Sequence, residues 1–482
     1  MSDPGSSSVA VVSLYQKQQK IYARSVSGTF DRWRWALVWI TQAWFYGLPW
    51  LAWNERQAVL FDLASRRFYL FGLVLYPQDF IYLTGLLVIS AVSLFFFTAV
   101  AGRLWCGYAC PQTVYTEIFM WVERRIQGDR AQHMRRDAGP WSWDRLWRHA
   151  GKHAAWLAIG LWTGFSFVGY FTPIRQLGAE VLGLFAAHPA APLGPWEAFW
   201  VLFYGLATYG NAGYLREQVC KYMCPYARFQ SAMFDKDTLT VSYDSARGEP
   251  RGSRPRQAEP AALGLGSCID CTLCVQVCPT GIDIRKGLQY ECIGCAACID
   301  VCDGIMAKMN YAPGLIRYST QNALAAGLSR AQILRRTLRP RVLILGAILA
   351  AISVGFVASL ATRAPFRVDV VRDRASLARI VDDGWVENLY RLQLMNATER
   401  PQRYRVAAEG LPGLQLAASP GISLAPAEAR WVTLALRMPP QAAQQAGPGA
   451  HAMRFGISLI EDDDGRPSSA LVLEKSTFVV PR

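Results

Sequence analysis

From residue 268 the sequence reads Cys268-Ile-Asp-Cys271-Thr-Leu-Cys274-Val-Gln-Val-Cys278-Pro279, and from residue 292 it reads Cys292-Ile-Gly-Cys295-Ala-Ala-Cys298-Ile-Asp-Val-Cys302. Both stretches follow the spacing C-x2-C-x2-C-x3-C. A four-iron cluster needs four thiolates, and a tight loop that supplies three of them plus a distant fourth surrounds the cluster without straining the backbone. The spacing therefore predicts two [4Fe-4S] clusters in a small ferredoxin-like module.

The fourth cysteine of each stretch is expected to ligate the cluster of the other stretch, as in two-cluster ferredoxins. Cluster 1 is thus predicted to be held by Cys268, Cys271, Cys274 and Cys302. Cluster 2 is predicted to be held by Cys292, Cys295, Cys298 and Cys278. Structural zinc and disulfides are the alternatives, but zinc sites rarely use a triple C-x2-C-x2-C, and no cleavable export signal accompanies these cysteines.

The chain is more apolar than a soluble protein usually is, with 52% hydrophobic residues and a mean hydropathy of +0.12. The excess lies in blocks of about 20 residues with few charges, which is the length that crosses a hydrocarbon core of about 30 Å. We predict five membrane spans, at about residues 35–54, 80–101, 153–172, 196–215 and 342–361. A buried core helix is the alternative for each block, and the first block, which contains Pro49, is the least apolar.

Lysine and arginine are concentrated in alternate segments between these blocks. Residues 1–34 carry five, residues 102–152 carry nine and residues 216–341 carry 17, whereas the other two connections carry three and one. Because basic residues stay on the cytoplasmic side, the N-terminus and both cysteine stretches are predicted to be cytoplasmic and the tail periplasmic. This distribution also explains the formal net charge of +14 without nucleic acid, for which no motif is present.

The predicted segments follow from this topology. They are a cytoplasmic N-terminal segment (1–34), a membrane domain (35–215), a linker (216–262), the ferredoxin-like module (263–313), a second linker (314–341), the fifth span (342–361) and a periplasmic domain (363–482). In the last of these, Val386–Asn396 alternates apolar and polar residues with the period of a strand, and turn residues separate further short apolar runs. The pattern predicts a small all-β sandwich, and the lack of clustered titratable residues favours a docking role for it.

The other four cysteines form a repeated C-x3-C-P motif. The motifs are Cys106-Gly-Tyr-Ala-Cys110-Pro111 and Cys220-Lys-Tyr-Met-Cys224-Pro225. Each proline is expected to begin a helix, and a thiol before a helix N-terminus with arginine nearby is expected to have a lowered pKa. Such thiolates could bind Cu(I), hold a further cofactor or form a dithiol-disulfide couple, and the alternative is that they are buried, inert cysteines.

Other candidate metal ligands give a weaker signal. Methionine could assist a copper site, although methionine on an apolar face usually packs in a core. Histidines near a membrane surface are usually solvated. The residues considered are Met120, Met223, Met233, His133, His149 and His153.

Several long stretches match one family. They are Gly102-Arg-Leu-Trp-Cys-Gly-Tyr-Ala-Cys-Pro-Gln-Thr113, Arg216-Glu-Gln-Val-Cys-Lys-Tyr-Met-Cys-Pro-Tyr-Ala-Arg-Phe-Gln230, Tyr243-Asp-Ser-Ala-Arg-Gly-Glu-Pro-Arg251 and Asn388-Leu-Tyr-Arg-Leu-Gln-Leu-Met-Asn396, together with the two cysteine stretches. On these residues the chain resembles the CcoG family, also called FixG or RdxA, the iron-sulfur accessory proteins of cbb(3)-type cytochrome oxidase. The resemblance implies reduction of Cu(II) to Cu(I) during oxidase assembly, a place in the bacterial cytoplasmic (inner) membrane and an immunoglobulin-like tail.

The partners expected from this resemblance are the lipid bilayer, copper ions or a copper carrier, and oxidase assembly components, while the electron donor is not identified. Two other functions fit the motifs. One is a quinol-linked redox subunit similar to the membrane ferredoxins of periplasmic nitrate reduction. The other is a non-catalytic scaffold or redox sensor with structural clusters. One departure from a generic ferredoxin is Asp303, which stands where proline often follows the second stretch.

Overall fold

The computed structural model describes residues 20–184, 192–373, 377–417, 421–461 and 470–482. The chain divides into two compact units. Unit 1 comprises Met1–Ile40, Phe97–Ile159 and Ala207–Val342, and unit 2 comprises Thr41–Phe96, Gly160–Leu206 and Leu343–Arg482. All twelve cysteines belong to unit 1.

The helices of the described residues vary from single turns to membrane-spanning length. In chain order they are α1 (Thr29–Gly47), α2 (Phe80–Ala101), α3 (Leu104–Tyr108), α4 (Pro111–Gln127), α5 (Arg130–Ala138), α6 (Trp143–Val168), α7 (Ile174–Gly183), α8 (Pro195–Gly210), α9 (Pro225–Met233), α10 (Ser245–Gly248), α11 (Leu273–Gln276), α12 (Ala297–Met309), α13 (Gln321–Ala326), α14 (Arg330–Thr337), α15 (Pro340–Ala361) and α16 (Pro440–Ala446). Two π-helical turns, Asn211–Leu215 and Val219–Met223, follow α8.

The strands form small antiparallel sheets. In chain order they are β1 (Ala52–Trp53), β2 (Arg56–Gln57), β3 (Val59–Asp62), β4 (Arg67–Leu70), β5 (Leu73–Leu75), β6 (Thr240–Tyr243), β7 (Ile316–Ser319), β8 (Phe366–Arg372), β9 (Arg379–Ile380), β10 (Val386–Asn396), β11 (Gln402–Glu409), β12 (Gln415–Leu416), β13 (Ile422–Leu424), β14 (Ala429–Met438), β15 (Gly449–Glu461) and β16 (Leu471–Val480). The sheet orders are β1-β2, β3-β4-β5, β6-β7, β12-β14-β10-β8 with β9 also on β10, and β13-β11-β15-β16.

Two helices in the described part of the chain are long and apolar enough to cross a membrane. They are Pro77–Ala101 and Pro340–Ala361, and they match the predicted spans at 80–101 and 342–361. The other three predicted spans fall on less suitable helices: α1 includes Arg32 and Arg34, the first half of α6 carries charges, and α8 has only 16 residues before the backbone becomes π-helical. Five spans therefore stay a prediction.

The C-terminal part of unit 2 is a β-sandwich. Tyr390, Leu392 and Leu394 on β10 have no exposed surface, because they face the second sheet, where Phe455 and Phe478 are equally buried. The alternation predicted for Val386–Asn396 is confirmed, and β10 covers those same residues. This core stabilises the two packed sheets of the tail.

We expect Phe455→Ala to lower the free energy of unfolding of this sandwich by about 3–5 kcal/mol, because it removes a buried ring and leaves a cavity. The Phe455 ring packs edge to face on Tyr390, with centroids 5.1 Å apart. Chemical denaturation of the detergent-solubilised chain measures the change. Val371→Ala, at a side chain that is 46% exposed, is the control and should stay within about 0.5 kcal/mol. A Phe455→Ala loss no larger than that of the control would contradict the packing described.

Unit 2 also contains a small sheet that the sequence did not reveal. Strands β3 to β5 occupy a connection of the predicted membrane domain, and Leu60, Tyr69 and Val74 pack in one core with Met395 and Ala397 of the tail. The Tyr76 hydroxyl lies within hydrogen-bond distance of the carbonyl oxygens of Asn396 (2.9 Å) and Ala427 (3.1 Å), and its single proton is donated to this pair of acceptors. The sheet therefore ties the segment before α2 to the sandwich.

Asp79 adds ion pairs between the segment before α2 and the segment after α15. Its carboxylate has no exposed surface and accepts hydrogen bonds from the backbone N–H of Tyr76 (3.1 Å), from Arg363 (3.2 Å) and from Arg367 (2.7 Å). Arg363 and Arg367 lie just beyond the end of α15. A single buried carboxylate therefore connects the start of α2 to the chain that leaves α15.

Unit 1 holds the cysteine module, which is larger than predicted. Strands β6 and β7 pair from Thr240–Ser319 to Tyr243–Ile316, so the residues on both sides of the predicted module close it. Both strands lie in stretches predicted to be linkers, and α13 and α14 occupy the second of these. The linker prediction fails here because four-residue strands carry too little periodicity to be recognised in a polar stretch.

Candidate functional site

The first cavity of the cysteine module is lined by Cys268, Cys271, Cys274 and Cys302. It measures about 380 Å³ with its open mouth included. Cys268 and Cys274 are buried, whereas Cys271 is exposed. The structure thus brings together the four thiols predicted to hold cluster 1 and leaves one of them at the surface.

The second cavity is lined by Cys278, Cys292, Cys295 and Cys298, and measures about 350 Å³. Cys278 reaches it although the residue belongs to the first cysteine stretch. Cys274 lines this cavity as well as the first, so the two cavities are adjacent. Cys278 of the first stretch therefore lies among three cysteines of the second stretch, and the exchange of the fourth ligand stays a prediction.

The two cysteine loops share one backbone conformation. Asp270 and Thr272 have left-handed φ angles of 52° and 56°, and Gly294 and Ala296, at equivalent positions of the second loop, have 70° and 61°. Alternating right- and left-handed residues turn successive N–H groups toward one concavity, which is a conformation that binds anions and iron-sulfur groups. Three of these four residues are not glycine, and such strain is typical of ligand sites.

Asp303 explains why the loops end differently. Helix α11 stops before Cys278, which proline follows, whereas α12 continues through Cys302 to Met309. Asp303 retains the N–H that proline lacks, so the helix is not interrupted there. Its carboxylate also accepts the N–H of Gly314 at 2.7 Å, which fixes the turn before β7.

The donor set fits iron-sulfur clusters better than single ions. Each cavity is lined by four or more cysteines drawn from both cysteine stretches, which is the donor set that a [4Fe-4S] cluster requires. Among the described residues, no three His, Cys, Asp or Glu side chains lie close enough to hold one metal ion. Burial raises the pKa of Cys274 to about 11 and those of Cys292 and Cys302 to about 12. These thiols therefore need a bound cation to become thiolates.

The C-x3-C-P motifs each join two helical segments. Cys106 lies within α3 and Cys110 immediately precedes α4, while Cys220 lies in the π-helical turn Val219–Met223 and Cys224 immediately precedes α9. The prediction that each proline begins a helix is confirmed, because α4 begins at Pro111 and α9 at Pro225. The sulfurs of each pair are therefore held at a junction between two segments.

The structure gathers these four cysteines, which we call the four-thiol group. The Cys220 thiol is within electrostatic range of Cys110, Cys106 and Cys224, and Cys110 is within range of Cys224. The expectation of lowered pKa values is wrong for three of the thiols. Burial raises the pKa of Cys106 to about 11 and of Cys220 to about 12, and it also raises that of Cys110. Desolvation outweighs the nearby arginine and helix N-terminus.

The four-thiol group lies directly against the second cysteine loop, which carries Gly294 and Cys295. A Cβ atom at Gly107 would come within 2.8 Å of the Cys295 nitrogen, and one at Gly294 within 3.2 Å of the Arg103 carbonyl. Cys106 packs in the same small core as Cys295 and Val277. Two glycines thus allow α3 and the cysteine loop to touch backbone to backbone.

A third cavity, of about 390 Å³, lies at this junction. Cys220 of the four-thiol group and Cys295 of the second cysteine loop both line it, and so does Met120. Met120 is buried, whereas Met223, which lies inside the second motif, is 59% exposed. Of the methionines considered as copper ligands, Met120 therefore faces a cavity shared with two cysteines.

The candidate histidines lie elsewhere in unit 1. His133 is buried against the edge of the Tyr22 ring and lies 3.2 Å from the Lys20 ammonium, so the prediction that it is solvated is wrong. Burial lowers the pKa of His133 to about 4, which keeps the ring neutral. His149 lies 3.7 Å from Asp137, and His153 hydrogen-bonds the Tyr209 hydroxyl at 2.9 Å.

Sequence reasoning missed three polar residues at the first two cavities. Arg285 lies between Asp283 (2.8 Å) and Asp270 and lines the first cavity together with Tyr243. The Thr280 hydroxyl lies 3.3 Å from the Cys278 sulfur. No sequence motif predicts a role for these residues, although Arg285 and Thr280 lie in the short connection between the cysteine stretches.

Comparisons with known protein families agree with this division of the chain. A model described as "4Fe-4S dicluster domain" matches residues 215–321, one described as "4Fe-4S binding domain" matches residues 83–128, and one described as an "IG-like fold at C-terminal of FixG" matches residues 356–481. The expectations of iron-sulfur clusters and of an immunoglobulin-like tail are thereby confirmed.

Curated relatives match over most of the chain. "Protein RdxA" of Cereibacter sphaeroides is 38% identical over 473 residues, which cover 96% of this chain and 98% of the relative. "Nitrogen fixation protein FixG" of Rhizobium meliloti is 38% identical over 430 residues, which cover 83% and 81%. A solved FixG-related protein from Vibrio parahaemolyticus covers 24% of this chain and 97% of its own, with 22% identity and a TM-score of 0.21, which is too low to establish a shared fold.

Proposed function

The chain belongs to the FixG/RdxA family, and from that membership we propose that it is a membrane-bound iron-sulfur protein that reduces Cu(II) to Cu(I) for the assembly of a cbb(3)-type cytochrome oxidase. One observation carries the proposal. The four-thiol group, whose soft sulfur atoms suit Cu(I), lies against the loop that carries Cys295. A cluster held at the second cavity would therefore have sulfur atoms that suit Cu(I) next to it.

In this proposal cluster 1 is held by Cys268, Cys271, Cys274 and Cys302, and cluster 2 by Cys278, Cys292, Cys295 and Cys298. When bound, each [4Fe-4S] cluster supplies one-electron transfer. Cys271 gives the first site an exposed edge, at which a one-electron reductant of the cytoplasm can deliver an electron. Cys274 lines both cavities and so connects the first site to the second.

The chemical step is a transfer of one electron. Cu(II) bound by a pair of thiols of the four-thiol group would gain one electron and become Cu(I), and the clusters held at the two cavities would supply that electron from the reductant. The thiols lose their protons as copper binds, since burial holds them protonated otherwise. Met120 supplies a thioether at the same cavity as Cys220, and a thioether stabilises the reduced ion.

The location in the proposal is the bacterial cytoplasmic (inner) membrane. The helices Pro77–Ala101 and Pro340–Ala361 support membrane insertion. Their flanks agree with the predicted orientation, because Arg339 and Arg341 precede the apolar part of α15 on the side of the clusters. In this orientation the sandwich would be exported and free to contact copper carriers or oxidase assembly components.

The test is Cu(II) reduction by protein purified anaerobically in detergent. After reduction with dithionite and removal of excess reductant, Cu(II) sulfate is added and Cu(I) is measured with a coloured chelator. We expect the double variant Cys110→Ser, Cys224→Ser to lose at least tenfold in rate while its cluster spectra persist. Met223→Leu, an exposed change within the same motif, should retain the rate. Unchanged copper binding and rate in the double variant would disprove the copper assignment.

A second candidate function for the four-thiol group has its own support. The "4Fe-4S binding domain" model matches residues 83–128, and the cysteines in this range are Cys106 and Cys110. With Cys220 and Cys224 close by, four thiols are available for a further iron-sulfur group. Iron analysis separates the candidates: loss of iron in the double variant favours the further group, whereas unchanged iron with lost copper binding favours copper.

A further inference from the structure

Arg103 is a buried arginine at the junction between the four-thiol group and cluster 2. It immediately precedes α3 and is 5% exposed. One of its terminal nitrogens donates a hydrogen bond to the Ala227 carbonyl in α9, and its Nε has no hydrogen-bond partner among the described residues. Its guanidinium is therefore removed from water with an unused donor.

The charge of Arg103 also lacks a nearby carboxylate. Arg285, at the first cavity, is paired with Asp283 and Asp270, and Arg34, at the third cavity, is paired with Asp31 at 2.7 Å. Within the described part of the chain, no carboxylate lies within ion-pair distance of Arg103. A buried charge without a counter-ion is costly, so another anion must balance it.

Several of the groups within electrostatic range of Arg103 are thiols. Its positive charge acts on Cys292 of cluster 2 and on Cys106 and Cys220 of the four-thiol group. Its own backbone touches Gly294 in the cluster 2 loop. The thiolates of a bound cluster, and the additional negative charge that arrives on reduction, are the anions available to balance it.

We propose that Arg103 is a positioning residue that raises the reduction potential of cluster 2 above that of cluster 1 and so draws each electron toward the four-thiol group. The proposal rests on the ligand assignment of the proposed function. A fixed positive charge at a dry site stabilises added negative charge strongly. At the first cavity Arg285 is paired with Asp283 and Asp270, whose negative charges oppose its effect. In each transfer the cluster held beside Cys274 would lose one electron, and the cluster held beside Cys295 would gain it.

The test is an anaerobic redox titration of the full-length protein, followed by electron paramagnetic resonance. In Arg103→Gln we expect the electron affinity of one cluster to fall at least about tenfold, which is about 59 mV for a one-electron couple, while the other cluster is unchanged. Arg103→Lys retains the charge and should keep most of the potential. Arg32→Gln removes an exposed charge from the same unit and should change neither cluster.

Gln230→Glu is the second variant, in case Arg103→Gln does not take up iron. Gln230 is fully buried and its carbonyl oxygen lies 3.5 Å from the Cys106 sulfur, so the change places a carboxylate of equal size in the field of Arg103. The potential of the same cluster should fall. The proposal is overturned if both variants retain wild-type potentials, or if Arg103→Lys falls as far as Arg103→Gln. Because potentials are measured without copper, these outcomes do not depend on whether copper is the acceptor.

Discussion

A Cys278→Ser variant is expected to lose the same half of the cluster iron as a Cys295→Ser variant, although Cys278 belongs to the other cysteine stretch. The structure places Cys278 in the cavity lined by Cys292, Cys295 and Cys298. Serine is a poor ligand for iron in place of thiolate, so each single change should remove one cluster. Iron analysis and electron paramagnetic resonance of anaerobically purified protein measure the loss.

Double variants make this test sharper. Cys278→Ser with Cys295→Ser should lose no more iron than either change alone, because both act on one cluster. Cys278→Ser with Cys302→Ser should lose both clusters. Cys302→Ser alone is the matched control, since it occupies the equivalent position of the second stretch and lines the first cavity. If Cys278→Ser instead behaved as a partner of Cys271→Ser, each stretch would hold its own cluster and the exchange of ligands would be wrong.

Replacing Asp79 with Asn is expected to lower the free energy of unfolding by about 3–5 kcal/mol. The carboxylate is fully buried and is the shared partner of Arg363 and Arg367. An amide of the same size leaves both guanidinium groups without their counter-ion, one of them at a site that is only 7% exposed. Chemical denaturation in detergent measures the change.

The control for Asp79 is another aspartate in an ion pair with arginine. Asp144 pairs with Arg148 at 2.8 Å one turn away on α6, but its side chain is 62% exposed. Asp144→Asn should therefore change stability by no more than about 1 kcal/mol, as for other exposed pairs. Equal effects at Asp79 and Asp144 would show that the buried carboxylate does not hold the start of α2 to the residues after α15.

Strong periodic patterns in the sequence were sufficient to predict several helices and strands. The uncharged block at 80–101 is α2, and the alternation at Val386–Asn396 is β10, residue for residue. The cysteine spacing identified which thiols share each cavity. In these places one local pattern is enough to predict the structure, because the period of the apolar residues or the spacing of the cysteines identifies it.

Other features could not be read from local pattern. Strands β6 and β7 are four residues each and pair across more than 70 residues of chain. The thiol pKa values were expected to be low from sequence neighbours, yet burial by distant segments decides them. Arg103 is adjacent to a visible motif, but its missing carboxylate is a property of everything that packs around it. Burial, strand pairing and ion pairing depend on tertiary packing, and a single sequence does not reveal them.

The contact between Gly107 and Cys295 also limits what can replace the glycine of the first motif. A methyl group at residue 107 would lie 2.8 Å from the Cys295 nitrogen, so even alanine would have to push α3 away from the second cysteine loop. The middle of the first C-x3-C-P motif is therefore constrained by a loop that lies far along the chain.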